Sequence, residues 1–294
     1  MANLDLRPLS LGELLDRTFS IYRQNFALFV GITAIPQLLV LAINLFNALF
    51  GTIPQIPARP RIGTIPAPPQ PLHISTGLIG ATIFGALAFV IVYLIAYLLI
   101  QGATFFAVSE IYLGRKASIS DSIRRMRGNI LKLFGVTILN GLALMAGFIC
   151  LIFPGFYLAC RLLVCVPAAL LEDLGPSDSL TRSFDLTRDE AGRAFVILFL
   201  CWVLSVTASA LFQFPFQMLA VMSFKDPSAL RVWSEFASVG TFLATTLVTP
   251  ILTIATAVFY YDLRVRKEAF DLQVMMDETN PPATAAPNAP PSLA

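Results

Sequence analysis

The chain has 294 residues, of which 56% are hydrophobic and only 13% charged, against roughly 25% charged in a water-soluble domain. So few charges exclude a globule of this size solvated by water alone, and a net charge of +2 gives no electrostatic case for a nucleic-acid partner. One histidine, His73, and four cysteines, Cys150, Cys160, Cys165 and Cys201, each in an apolar run without a CxxC pair, offer neither a histidine metal site nor a Ser-His-Asp triad; no cofactor is expected, and the thiols read as small buried hydrophobes.

The first 25 residues have no apolar run behind a basic start, so they predict no cleaved signal peptide. They predict instead a short amphipathic helix. Ser10 and Glu13 have capping-box spacing, and Leu11, Leu14, Leu15, Thr18 and Phe19 share a face that can rest among lipid headgroups. A first apolar span follows at Phe26–Phe50, kinked by Pro36. The 51–73 segment holds seven prolines and predicts an extended loop, a spacer or else a PxxP ligand. The second span runs from about Gly77 to Gln101 and continues as helix to Tyr112. Its Gly77, Ala81 and Gly85 form a small-residue face that lets another helix approach closely.

Ser118 and Asp121 begin a second amphipathic helix. Its Arg124, Arg125 and Arg127 are candidate contacts for anionic lipid, or topogenic charges, and the same side chains can be both. The third span, about Leu133–Phe153, carries Asn140. A turn at Pro154-Gly155 leads into the fourth, about Phe156–Leu171. Arg161 lies about five residues, roughly 7.5 Å of helix, inside that span. Two readings of it stay open: a functional intramembrane charge, with Asn140 as a candidate partner, or a side chain that snorkels or bonds locally. A third amphipathic helix starts with Gly175 as cap and Pro176 in the first turn. The fifth span is about Ala194–Leu219 and the sixth about Val239–Tyr261, with Pro250 near its middle. Thr241, Thr245, Thr249 and Thr253 recur every four residues along the sixth, with Thr256 beyond. That stripe either lines a wet cavity or packs against neighbouring helices. The 277–294 tail predicts disorder.

Each of the six stretches is long enough to cross a hydrocarbon core about 30 Å thick. Fifteen of the 20 cations fall before span one, between spans two and three, between four and five, and after six. Arg59, Arg61, Lys225 and Arg231 fall on the other side. The positive-inside rule then places both termini in the cytoplasm. No acid lies mid-span; Glu110 and Asp262 are both at the inner margin, which weakens a proton-coupled pump.

The three amphipathic segments share a pattern: Glu13-x-Leu15-x-Arg17, Asp121-x-Ile123-x-Arg125 and Asp178-x-Leu180-x-Arg182. Each has a cap three residues before the acid and an aromatic, Phe26, Phe134 or Phe195, near the start of the next span. The predicted fold is therefore an all-α polytopic helical bundle of about six transmembrane helices in three hairpins, each preceded by a short cytoplasmic amphipathic helix. One membrane domain would cover 1–276, with repeat units 9–117, 118–174 and 175–270 related by an axis along the membrane normal.

The segments LSLGELLDRTFSIYRQNF, FPGFYLACRLLVCVPAALLEDLGPSDSLTRSF and VFYYDLRVRKEAFDL resemble the bacterial membrane domain fused to some glycerophosphoryl diester phosphodiesterases, and related stand-alone multi-pass families. The resemblance implies a membrane module of the bacterial plasma membrane. The phosphodiesterase chemistry of that family belongs to a separate barrel with acidic metal ligands and catalytic histidines, and this chain has no stretch to match it. The expectation is a non-catalytic integral membrane protein, a scaffold, partner-binding or envelope-homeostasis module in contact with the bilayer. The alternative is a transporter or lipid-handling protein with a cavity between hairpins.

Overall fold

The computed structural model describes residues 7–50, 76–112 and 118–268, and for 47–50, 76–83, 86, 119–120 and 127 the backbone alone. The Pro-rich 51–73 loop with His73, the cations Arg115 and Lys116, and the 277–294 tail lie outside the described residues. So do the side chains of Ala81 and Arg127.

All elements among the described residues are α-helices: α1 Leu11–Gln24, α2 Phe26–Phe50, α3 Thr76–Tyr112, α4 Ile119–Arg127, α5 Ile130–Cys150, α6 Ile152–Arg161, α7 Cys165–Leu171, α8 Pro176–Leu186, α9 Ala191–Phe212, α10 Phe214–Met222 and α11 Pro227–Glu268. Among the described residues, six helical stretches are long and apolar enough to cross a membrane, so the chain is a multi-pass membrane protein. Large apolar side chains such as Trp202, Leu87 and Val90 are exposed along them, as expected where the solvent is hydrocarbon.

Local chemistry sets several boundaries. At α1 the capping box is complete: Ser10 Oγ accepts from the Glu13 amide at 3.3 Å, and a Glu13 carboxylate oxygen accepts from the Ser10 amide at 2.7 Å. The bonds from Ser10, with Arg7 beside them, pull the Glu13 carboxyl down to about 2. Ser118 makes no such side-chain cap bond at α4. The third and fourth spans are joined by Leu151 alone, at φ −170° and ψ 157°, and Pro154-Gly155 falls in the first turn of α6 rather than forming the turn. The fifth span ends at Phe212, earlier than predicted. Pro215, in the first turn of α10, has no N–H to continue the ladder.

The chain divides into two compact units. One gathers the described residues of Val30–Gln101 and Val203–Thr249. Here Pro250, the next residue of α11, leaves the Thr246 carbonyl without its helical donor. Thr33 Oγ1 on α2 donates to that carbonyl at 3.1 Å. Gly240 lies so close to the Phe212 carbonyl that a Cβ there would collide with backbone. Phe216, Phe236 and Trp233 stack beside this contact, with centroids 5.7 and 6.0 Å apart.

The other unit gathers the described residues of Met1–Phe29, Gly102–Trp202 and Pro250–Ala294. Its core holds Leu14, Phe29, Met126, Leu133, Leu186, Ile197, Ile254 and Phe259. Met126 fills the space over Gly102, where any side chain would strike its sulfur. α8 packs on α5 and α7, with Pro176 against Gly135. The buried faces of the short helices thus meet protein, where headgroups were expected: Leu14, Thr18 and Ile21 of α1, Ser122 and Met126 of α4, and Ser179, Ser183 and Leu186 of α8. Phe19 of α1 stays exposed.

Candidate functional site

Three apolar stretches finish with an acid that falls within this second unit: Glu110 near the end of α3, Glu172 as the C-cap of α7, and Asp262 in the last turns of α11. Each acid holds a short helix. Glu110 pairs with Arg125 of α4 at 2.7 Å. Glu172 takes both guanidinium arms of Arg182 of α8, at 2.7 and 3.0 Å. Asp262 accepts at 2.7 Å from the amide of Leu9, the residue before the α1 cap. The arginine of each of the three acid–x–apolar–x–arginine segments meets the end of an apolar stretch. Arg125 and Arg182 do so through carboxylates, and Arg17 sits 4.5 Å above the Tyr112 ring.

Asp262 has a side chain with no exposure at all, yet it is surrounded by donors. Besides Leu9, it pairs with Arg193 at 2.8 Å and with Arg266, one turn on, at 3.0 Å. Arg193 also donates to the Leu9 carbonyl at 2.9 Å, as does Arg266 at 2.5 Å. Both polar groups of the Leu9 backbone are therefore fixed by charged side chains. A carboxylate removed from water is tolerable only with this many charge-assisted bonds.

A second network lies around Glu172. Tyr260 donates to it at 2.7 Å, and Arg182 reaches across to Glu268 as well. Burial alone would lower the Arg182 pKa, but its bonds to Glu172 and Glu268 raise it above the usual arginine value. Glu268 is shared with Arg264 at 3.0 Å. Lys267 donates to the Asp185 and Arg188 carbonyls at the end of α8, where a cation is favoured by the helix dipole. Beside these, Tyr261 and Ser109 share a 2.6 Å hydrogen bond, and Tyr261 stacks on Tyr112 at 4.6 Å.

Arg161 ends α6, at the far end of a ten-residue helix, and so sits roughly 15 Å from the α5–α6 turn, deeper than the sequence reading placed it. Its guanidinium donates to the Phe184 carbonyl at 2.7 Å and faces the Phe184 and Tyr157 rings, while its Nε has no partner. Its own carbonyl accepts from Ser183 of α8 and from Thr187, the C-cap of that helix, at 2.8 and 3.0 Å. With that carbonyl taken, the Cys165 amide turns to Leu162 instead, at 3.1 Å, and the fourth span breaks between α6 and α7. Asn140 is not the partner of Arg161; its Oδ1 is buried without a hydrogen bond.

In the threonine stripe, Thr241 and Thr245 bond back to the carbonyls of Ala237 and Thr241, at 2.9 and 2.7 Å, and Thr256 to Leu252 at 2.7 Å. Thr249 is exposed and Thr253 half-buried. Arg124 remains exposed, 3.5 Å from Asp121, whereas Arg125 is drawn toward Glu110 and the Phe106 ring. Cys160, Cys165 and Cys201 are buried as expected, but Cys150 is exposed at the α5–α6 turn.

A cleft of about 420 Å³ opens beside the charged networks, lined in part by Ser109, Glu110, Arg125, Asn129, Tyr261 and Arg264. Its charged groups are paired: Arg125 with Glu110 across the cleft, and Asp173 and Arg264 with Lys132 and Glu268 outside its lining. Among the described residues no three His, Cys, Asp or Glu side chains converge to hold a metal ion. Sequence reasoning missed Glu172, Arg193, Arg266 and Glu268. The signal was present in the recurring acid at the end of an apolar stretch and in the i,i+4 pairs Asp262–Arg266 and Arg264–Glu268. Compared with family models, with curated proteins and with solved structures, the chain finds no match.

Proposed function

We propose that this chain is a non-catalytic scaffold of the bacterial plasma membrane, of the phosphodiesterase-associated membrane-domain type, with both termini cytoplasmic and with a protein partner in the envelope. The observation that carries the reading is the pairing of its buried and half-buried charges with one another. Asp262 is used at both oxygens by Leu9, Arg193 and Arg266, and Glu172 is used by Arg182 and Tyr260. Carboxylates so engaged act as fixed struts; a general base needs a free lone pair facing substrate. The threonine hydroxyls bonded along their own helix and Arg161 bonded to Phe184 fit packed helices better than a polar path. The orientation rests on the cation bias, with the charged networks at the cytoplasmic face.

The test is purification of the full chain, affinity-tagged and cross-linked in native membranes. A scaffold brings down a protein partner in constant ratio, and an Arg124→Cys chain is labelled by an impermeant maleimide only from the cytoplasmic side. Loss of solute or lipid flux in an Arg161→Leu chain of normal folded yield, with no protein partner recovered, would establish the transporter reading instead.

A further inference from the structure

The α5–α6 turn is built from apolar side chains alone. From Gly141 to Cys160 the sequence has no Asp, Glu, Lys, Arg, His, Asn, Gln, Ser or Thr. The connections after the first and fifth spans are different, with Arg59 and Arg61 in one and Lys225 and Asp226 in the other. At the tip the side chains are uncovered: Ile149 is 76% exposed, Leu151 and Ile152 67%, and Phe153 86%. A tip of this kind that stood in water would leave a large apolar surface hydrated.

Length limits how far it reaches. α5 has 21 residues, roughly 31 Å of helix, and Lys132 near its start pairs with Asp173. That length about matches a hydrocarbon core of roughly 30 Å, so the tip arrives at the opposite boundary with nothing to spare. The backbone gives a second limit. The Leu151 amide bonds Gly147 and the Gly155 amide bonds Leu151, both at 3.2 Å, and Pro154 has no N–H to satisfy. The N–H groups of Ile152 and Phe153 and the last carbonyls of α5 are left over, and these cannot sit in mid-hydrocarbon. The single-residue turn holds this geometry because Gly147 and Gly155 lie in close contact and Phe148 meets Phe156 edge-on at 5.5 Å.

We propose that the α5–α6 tip is a lipid anchor that stops beneath the headgroups of the leaflet opposite Lys132. Ile149, Leu151, Ile152 and Phe153 lie among phospholipid acyl chains, and the turn's free backbone groups meet the ester layer. The hairpin approaches the far aqueous phase without entering it, unlike the two charged connections.

Cys150 reports on this directly, because it lies at the turn and the other three thiols are buried. The full chain, spin-labelled at Cys150 in detergent, is reconstituted at high lipid-to-protein ratio into phosphatidylcholine–phosphatidylglycerol vesicles. Collisions with oxygen, which concentrates in hydrocarbon, should exceed those with a water-soluble nickel complex. In vesicles of either orientation, unlabelled Cys150 should not react with an impermeant maleimide, since the reaction needs a hydrated thiolate; Lys225→Cys should react from one side. Nickel collisions in excess, or maleimide labelling of Cys150, would place the tip in water and overturn the proposal. Suppression of both collision rates would overturn it too, by showing protein over the tip. Phe153→Cys serves as the second reporter should the label at Cys150 disturb the fold.

Discussion

Asp262 accepts from one amide and two guanidinium groups, and its own carboxylate has no solvent exposure. Replacing it with Asn keeps the shape and removes the charge, so Arg193 and Arg266 are left facing each other. Breaking one member of a buried pair costs about 3–5 kcal/mol. Asp262→Asn should lose stability on that scale in denaturant or thermal unfolding in detergent micelles, whereas an exposed pair such as Asp121–Arg124 should change it by less than about 1 kcal/mol on disruption. Asp262 was legible as an acid at the edge of a span, but its partners were not. Leu9 and Arg193 are far from it in sequence, and only Arg266, one turn away, could be read from spacing.

At the scale of helices, glycine separates contact from open space. A Cβ on Gly240 would collide with the Phe212 carbonyl, while one on Gly141 meets nothing within 4 Å. Gly240→Ala should therefore cost about 1–3 kcal/mol through overpacking. Gly141→Ala should be neutral or stabilising by up to about 1 kcal/mol through helix propensity. Tm measured on the matched pair checks both signs. Capping and hydropathy made most elements readable in advance: α1 starts at its capping box, α8 at Gly175-Pro176, and α2 has the predicted bounds. The break in the fourth span was harder to read. Pro167, in the first turn of α7, has no N–H for the Leu163 carbonyl and marks a restart, while Ser183 and Thr187 occupy the Arg161 carbonyl at the break. A hydrogen bond from a later helix leaves no trace in the hydropathy of Arg161–Cys165.

Over the whole molecule, one device recurs. An acid that ends an apolar stretch holds a short helix: Glu110 for α4, Glu172 for α8 and Asp262 for α1. If each works locally, its loss should free one helix and not the others. Hydrogen–deuterium exchange should rise in 119–127 for Glu110→Gln, in 176–186 for Glu172→Gln and in 11–24 for Asp262→Asn. Exchange that rises in all three segments with any single change would mean one cooperative block. The three-part pattern was visible in the arginines and caps, while the matching acids became apparent only once the helices were seen side by side.

The bond between Leu9 and Asp262 also bears on the order of events at the ribosome. The first helix leaves the tunnel long before the residue that holds it exists. Until the last apolar helix has been made, neither the Leu9 amide nor Arg193 has Asp262 to bond. A chain whose translation stops before Asp262 would therefore leave the entry to α1 and the first turn of α9 without this tie.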